Sequence, residues 1–104
     1  MSAGDEIDPA LHAPARLQIA AMLGKVEEAE FATIRELVEV SDSVLSKHLS
    51  ALSDAGYVKI SKAARDGRQR TWAQLTPKGR KAFARHMRAL HELAAAAEQA
   101  VAAQ

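Results

Sequence analysis

The segment SDSVLSKHLSALSDAG, residues 41–56, determines most of the predicted fold. Its three leucines recur at helical spacing and therefore share one face of a predicted helix; they are Leu45, Leu49 and Leu52. Ser41 or Asp42 can accept hydrogen bonds from the first free amides of this helix. Gly56 can adopt the left-handed conformation that closes a helix. The stretch thus predicts an amphipathic helix over residues 41–55.

The opposite face of this helix is short and polar. It carries Asp42, Ser43, Ser46, Lys47 and Ser50. A solvated helix face usually uses glutamate, lysine or arginine, because the serine hydroxyl competes for backbone hydrogen bonds. A face of small hydroxyl side chains suits close approach to another surface, and the major groove of B-DNA admits one α-helix. Two interpretations stay open on this stretch alone: a DNA-reading helix, or an ordinary amphipathic helix with a serine-rich outer face.

Length and composition narrow the class of protein. The chain has 104 residues and no cysteine, which suits a single domain without disulfides or a thiolate metal site. No apolar run approaches the roughly 20 residues that a membrane span requires. The acidic N-terminus, MSAGDEIDPA, is unlike a signal peptide. We therefore expect a cytoplasmic protein with no membrane partner.

The net charge of +1 conceals an asymmetry along the chain. Residues 1–58 hold 10 acidic and 4 basic residues, whereas residues 59–81 hold 8 basic residues and 1 acidic residue. Residues 82–104 are balanced, with 2 of each kind. Because local fields steer polyanions, the basic middle segment is a candidate contact surface for nucleic acid.

The first part of the chain predicts a flexible arm and a buried helix. Residues 1–7 are expected to form the arm. Asp8 and Pro9 have the pattern of a cap followed by a proline at the first helical position, and Pro14 repeats it. Residues 14–23 are rich in apolar side chains and are followed by a terminating glycine. They predict the first full helix.

A second, shorter helix precedes the stretch at residues 41–56. Residues 30–32 can pair as a single bridge with a later strand. Thr33 and Glu36 have the spacing of a capping box, which predicts that the helix begins there. A tight connection at Glu39 then leads into the serine-rich helix. Two helices joined in this way, the second with a polar outer face, match the helix-turn-helix pattern.

A basic hairpin is predicted next. Residues 57–62 alternate as a strand does, residues 63–69 form a polar turn centred on Asp66-Gly67, and residues 70–75 form the return strand. Because Trp72 and Leu75 do not share one strict face, we expect a bulge, a short strand or partial burial on both sides, with the tryptophan packing in the core or the wing. Three arginines at the tip repel one another unless an anion or an acidic partner compensates; they are Arg65, Arg68 and Arg70.

The last helix begins at Thr76-Pro77 and can run to residue 102. Its apolar residues recur at alternating gaps of 4 and 3, which is a heptad seam; they are Phe83, Met87, Leu90, Ala94, Ala97 and Val101. The first half of this stripe can pack on the domain, but the half past Leu90 has no obvious partner in so short a chain. A homodimer is the simplest way to cover it.

These elements predict a mainly α fold with a small β-hairpin: a winged helix-turn-helix over residues 8–76 and a dimerisation helix over residues 77–104. The order resembles the winged-helix transcriptional regulators of the MarR and ArsR kind. The matching segments are residues 45–49 with Leu52, 54–58, 68–75 and the LTPKGR run at 75–80. LTPKGR favours the MarR side, and the short single-domain layout favours the ArsR side.

The resemblance implies a homodimeric repressor that reads a pseudo-palindromic operator in double-stranded DNA with helix 41–55 and a basic wing over residues 63–70. It also allows a small-molecule effector at the dimer interface. By position, the DNA contacts are Thr33, Ser43, Val44, Ser46, Lys47, Arg65, Arg68 and Arg70. Asp42 departs from a DNA-facing pattern: it could cap the helix, pair with a neighbouring basic residue, or accept a hydrogen bond from cytosine.

Other functions have less support in the sequence. The alternative to DNA binding is a winged-helix protein-interaction module, which should expose apolar anchors where this helix carries serines and a lysine. The histidines suggest a metal sensor, but His86 and His91 are five residues apart and do not share a helix face. No catalytic set or phosphate loop is present. We expect no metal, no cofactor and no enzymatic activity.

Overall fold

The computed structural model describes residues 6–103. In chain order its elements are α1 (Pro14–Leu23), β1 (Ala29–Glu30), α2 (Phe31–Val38), α3 (Asp42–Asp54), β2 (Val58–Arg65), β3 (Arg68–Leu75) and α4 (Pro77–Ala102). The strands form one antiparallel sheet in the order β1-β3-β2. The predicted winged helix-turn-helix with a long last helix is confirmed. Residues 1–5 of the predicted arm lie outside the described residues.

The core forms around the leucine face of α3. Leu45, Leu49 and Leu52 are at most 2% exposed, as their helical spacing predicts. Of the two candidate caps, Ser41 is the one observed, because the amide of Val44 donates to its hydroxyl at 3.2 Å. Gly56 follows the helix with φ of 81°, so it takes the left-handed conformation expected of it. These local features orient the outer face of α3 away from the core.

The predicted capping box of α2 is wrong. Its helix begins at Phe31 with Glu30 at the N-cap, without a side-chain cap bond, and Thr33 lies inside the first turn. The bridge is real but is shifted toward the N-terminus, since Ala29 and Glu30 pair with β3. This pairing keeps the backbone extended up to Glu30, so the helix starts immediately afterwards.

The predicted helix start at Asp8-Pro9 is also wrong. Asp8 begins a turn instead: its carboxylate accepts from the amide of Ala10 at 2.9 Å, and its carbonyl accepts from the amide of Leu11 at 3.0 Å. Helix α1 starts at Pro14, as the second proline indicated. The turn is stabilised by distant partners of Asp8, which local sequence does not reveal.

The hairpin is longer and tighter than predicted. Pairing is continuous from Val58 opposite Leu75 to Arg65 opposite Arg68, without a bulge. The turn contains only Asp66 and Gly67, with φ of 54° and 76°, rather than residues 63–69. Two successive residues with positive φ match the turn that suits the twist of a two-residue hairpin. Of the expected alternatives, partial burial on both faces is correct.

Helix α4 extends well beyond the domain. Its buried residues are Gly79, Ala82, His86 and Ala89, whereas every residue from 91 to 103 is exposed. The chain measures 61 × 25 × 21 Å and has a radius of gyration of 15.9 Å, against about 13 Å for a compact domain of this length. None of the helices in residues 6–103 is long and apolar enough to span a membrane.

Asp8 links the N-terminal segment to two distant parts of the chain. Its amide donates to Nδ1 of His86 on α4 at 2.9 Å, and its carboxylate accepts from the hydroxyl of Tyr57. His86 is fully buried, and its ring packs edge to face with the ring of His12 at 5.9 Å between centroids. The sequence suggested no role for His86 other than that of a possible metal ligand. Its role here is to anchor the N-terminal segment to α4.

The buried state of His86 predicts an acid-sensitive fold. Burial lowers the pKa of His86, nearby His12 lowers it further, and Asp8 raises it. A histidine whose pKa is lowered by folding takes up its proton preferentially in the unfolded state. The free energy of unfolding should therefore be steady above about pH 6.5 and fall as the pH drops through and below that value.

His86→Asn should flatten this fall, because asparagine offers an acceptor to the Asp8 amide and does not titrate. Urea denaturation between about pH 7.5 and pH 5 measures the effect. His91→Asn, at an exposed position of α4, is the matched control. A flattened profile in the control, or an unchanged one in His86→Asn, would contradict the assignment. The free energy of unfolding of His86→Asn should still depend on pH to some extent, because burial and then Arg16 lower the pKa of His48.

Candidate nucleic-acid interface

The outer face of α3 is the centre of the candidate interface. Its predicted contact residues are all exposed: Ser43, Val44, Ser46 and Lys47. Val44 is 39% exposed although it is apolar. Small hydroxyls and a lysine can hydrogen-bond to base edges or phosphates, and an apolar side chain can contact the methyl group of thymine. This face therefore carries side chains that can contact a major groove.

Asp42 is compensated within the chain. Its carboxylate lies 3.2 Å from Nε of Arg35, which comes from the supporting helix α2. Of the three roles expected for Asp42, the structure thus shows pairing with a basic residue, while Ser41 provides the cap. The sequence did not identify Arg35 as the partner. The ion pair therefore offsets the charge of Asp42 at the start of α3.

The supporting helices also position the interface. Thr33 is exposed in the first turn of α2, so its hydroxyl is accessible for the predicted DNA contact. Between α1 and α3, Nε of Arg16 donates to Nδ1 of His48 at 3.1 Å. His48 thus packs between α1 and α3. In residues 6–103, no three histidine, aspartate or glutamate side chains are grouped to hold a metal ion.

The three wing arginines have different environments. Arg65 forms an ion pair with Glu28, and its guanidinium lies 4.0 Å from the ring centroid of Trp72. Arg70 pairs with Glu30 at 3.1 Å. Arg68 is exposed and forms no ion pair within residues 6–103. Repulsion among the arginines is thus relieved by acids of the same chain, and Arg68 is the one of the three without an acidic partner in residues 6–103.

The acidic partners were missed by sequence reasoning. The sequence predicts a short bridge at Glu30 and assigns no role to Glu28. Their role depends on strand pairing, which places Glu30 opposite Trp72 of β3. Side chains two residues apart share a face of a strand, so Arg70 lies on the same face as Trp72. The register of β1 against β3 brings Glu30 close to Arg70, and the segment just before β1 brings Glu28 to Arg65. Neither pair can be identified from the sequence.

A profile described as a winged helix DNA-binding domain matches residues 15–94. The chain belongs to this family of winged-helix transcriptional regulators. An uncharacterized protein of Methanocaldococcus jannaschii, MJ0432, is 37% identical over 68 residues, which cover 65% of this chain and 74% of that protein.

Solved structures agree with this family. A transcriptional regulator homologue from Pyrococcus horikoshii OT3 is 28% identical, with a TM-score of 0.78 over 84% of this chain and 86% of that one. The YusO protein of Bacillus subtilis is 20% identical, with a TM-score of 0.74 over 90% and 66% of the two chains. At that identity YusO shows the shared fold alone.

Proposed function

We propose that this protein is a sequence-specific regulator that binds double-stranded DNA as a homodimer and represses transcription by occupying its operator. The observation that carries the proposal is the outer face of α3. Small hydroxyls and Lys47 are exposed there, and the buried leucine face fixes their direction. A protein-binding helix would need larger apolar anchors at these positions. Because chromosomal DNA is the proposed ligand, we place the protein in the cytoplasm.

The charge of the hairpin supports the same ligand. Arg68 near the turn and Lys59 and Lys62 on β2 are all exposed. In the proposed complex, Ser43, Ser46 and Lys47 reach base edges while the wing reaches the adjacent backbone or a narrow minor groove. Phosphate contacts set the register, and contacts from α3 carry the sequence preference. Arg65 and Arg70 are proposed to serve the interface mainly by holding the wing.

The exposed half of α4 supports a dimer. Leu93 and Val101 are 47% and 71% exposed, and they lie along one stripe with Leu90 and Ala97. Phe83 packs against the domain core, so the proposed seam begins near Leu90. Leu93 is an addition to the seam proposed from the sequence, whose other members there are Ala94, Ala97 and Val101. A two-fold arrangement would present two α3 helices to half-sites about 34 Å apart.

The test is fluorescence anisotropy with the DNA upstream of the gene and a random duplex, over a series of salt concentrations. The proposal expects tighter binding to the upstream fragment and a steep negative slope of log affinity against log salt. Equal, weak binding to both duplexes would contradict sequence-specific regulation. Absence of binding to either at low salt would instead favour the protein-interaction module.

Arg68→Ala should weaken DNA binding on all sequences. Its exposed guanidinium is proposed to neutralise one phosphate, so its loss should reduce the salt slope by about 0.9 per subunit. The same anisotropy titration measures both effects. Arg88→Ala, an exposed position on α4, removes the same charge away from the wing and serves as control. Equal losses in the two variants would exclude a specific contact by Arg68.

A further inference from the structure

We propose that Glu28 and Glu30 are positioning residues of the DNA interface, which hold the wing through Arg65 and Arg70 so that Arg68 meets the DNA. This inference rests on the proposed function. It assigns two acidic side chains a favourable role in binding a polyanion. The two glutamates are therefore expected to strengthen DNA binding, although their negative charge alone would weaken it.

The wing needs such an anchor because of its length. Strand β1 pairs with β3 only at Ala73 and Trp72. The hairpin then continues to Arg65 opposite Arg68 as two strands, with no third strand beside it among residues 6–103. A two-stranded hairpin alone is at best marginally stable in water. Side-chain contacts along its length therefore decide how firmly its tip is oriented.

The Glu30–Arg70 pair anchors the middle of the wing. Glu30 is opposite Trp72 in the register, and Nη1 of Arg70 lies 3.1 Å from its carboxylate. The side chains are 24% and 32% exposed, so the pair is more shielded from solvent than an ordinary surface pair. It connects the end of β1, which leads directly into α2, to the return strand of the wing.

The Glu28–Arg65–Trp72 cluster anchors the wing nearer its tip. Arg65 is the last residue of β2, immediately before the turn. Its guanidinium pairs with Glu28 and stacks over Trp72 at 4.0 Å. A planar guanidinium can make both contacts at once, which a lysine ammonium cannot do as well. The turn, and Arg68 just beyond it, are therefore directed by contacts with the body of the domain.

Glutamine substitutions distinguish the proposed anchoring of the wing from the electrostatic effect of the two glutamates on DNA binding. Glu28→Gln and Glu30→Gln each remove a negative charge, which alone would strengthen DNA binding. We expect the double variant to bind the upstream DNA about fivefold more weakly, because the wing loses its anchors. Glu27→Gln is the matched control, since Glu27 is exposed and forms no ion pair in the described part of the chain. It should bind as well as the wild type or slightly more tightly.

Trp72 gives a second measurement that does not depend on DNA. It is the single tryptophan of the chain, so its fluorescence reports the wing alone. Acrylamide quenching should increase in Glu28→Gln, because Arg65 is released from the ring, and should not change in Glu27→Gln. Unchanged quenching in Glu28→Gln would overturn the anchoring role.

The two assays distinguish failure of this inference from failure of the proposed function. If the double variant binds DNA more tightly, with a steeper salt slope, the acids compete with phosphate and the inference is overturned. Equal affinities of the double variant and Glu27→Gln would also overturn it. If the wild type binds no DNA at low salt, the proposed function fails, and with it the role of these glutamates in DNA binding. Quenching would still report whether they hold the wing.

Discussion

Replacing Leu93 and Val101 together by glutamate should convert the proposed dimer to a monomer and weaken operator binding by about 100-fold or more. Both side chains are exposed in the single chain, at 47% and 71%, so the substitutions should leave the fold of the domain intact. In a dimer seam the four new carboxylates would be desolvated and mutually repulsive. A monomer would then engage only one half-site, without the avidity of a linked pair.

Sedimentation equilibrium measures the oligomeric state, and anisotropy on the operator measures the affinity. Ala95→Glu/Gln99→Glu is the matched control, because it adds the same charge on the opposite side of the exposed half of α4. Retention of the dimer in Leu93→Glu/Val101→Glu would exclude this seam. If both variants are monomers, added negative charge anywhere on the exposed half of α4 prevents dimerisation, and the result does not support a seam along the stripe of Leu93 and Val101.

Gly79→Ala should destabilise the domain by about 3 kcal/mol and lower its Tm by roughly 12 °C or more. A Cβ at Gly79 would lie 2.2 Å from the backbone oxygen of Tyr57 and 2.9 Å from Cδ1 of Leu75. The Tyr57 oxygen also accepts from the amide of Thr76 at 2.9 Å. The backbone at Tyr57 and the backbone of α4 would have to move apart. The cost of this movement outweighs the usual stabilisation of about 1 kcal/mol that alanine gives over glycine in a helix.

Thermal and urea denaturation followed by circular dichroism measure this loss. Gly24→Ala is the control, because its Cβ would make only ordinary contacts, 3.4 Å from the oxygen of Ala20. Gly24 also has φ of −68°, which suits any residue. The control should stay within about 0.5 kcal/mol of the wild type. A Gly79→Ala protein as stable as this control would mean that α4 can move away from Tyr57 at little cost.

Local patterns predicted the elements that are stabilised by local interactions. The leucine spacing of α3, the Asp66-Gly67 turn and the proline at the start of α4 each depend on residues within a few positions. Where a distant partner intervened, the predictions failed. The pairing of β1 with β3 moved the start of α2 to Phe31, and the contacts of Asp8 with His86 and Tyr57 replaced the expected helix start.

The candidate site shows the same division. Exposure of Ser46 and Lys47 followed from helical periodicity, because their positions oppose the leucine face. The acidic partners of Arg65 and Arg70 could not be predicted, since they are 37 and 40 residues away along the chain. Sequence reasoning required an acidic or anionic partner for the arginines but could not say that the chain itself supplies one.

Helical spacing, caps and turn residues act over a few positions, so they were enough to predict a winged helix-turn-helix with a basic hairpin and a long amphipathic last helix. Which charges remain available to a ligand depends instead on contacts between distant parts of the folded chain. Ion pairs such as Glu30–Arg70 depend on strand register, and register is set by the burial of whole faces rather than by the paired residues. The functional difference proposed between Arg68 and the other two wing arginines therefore depends on the folded chain.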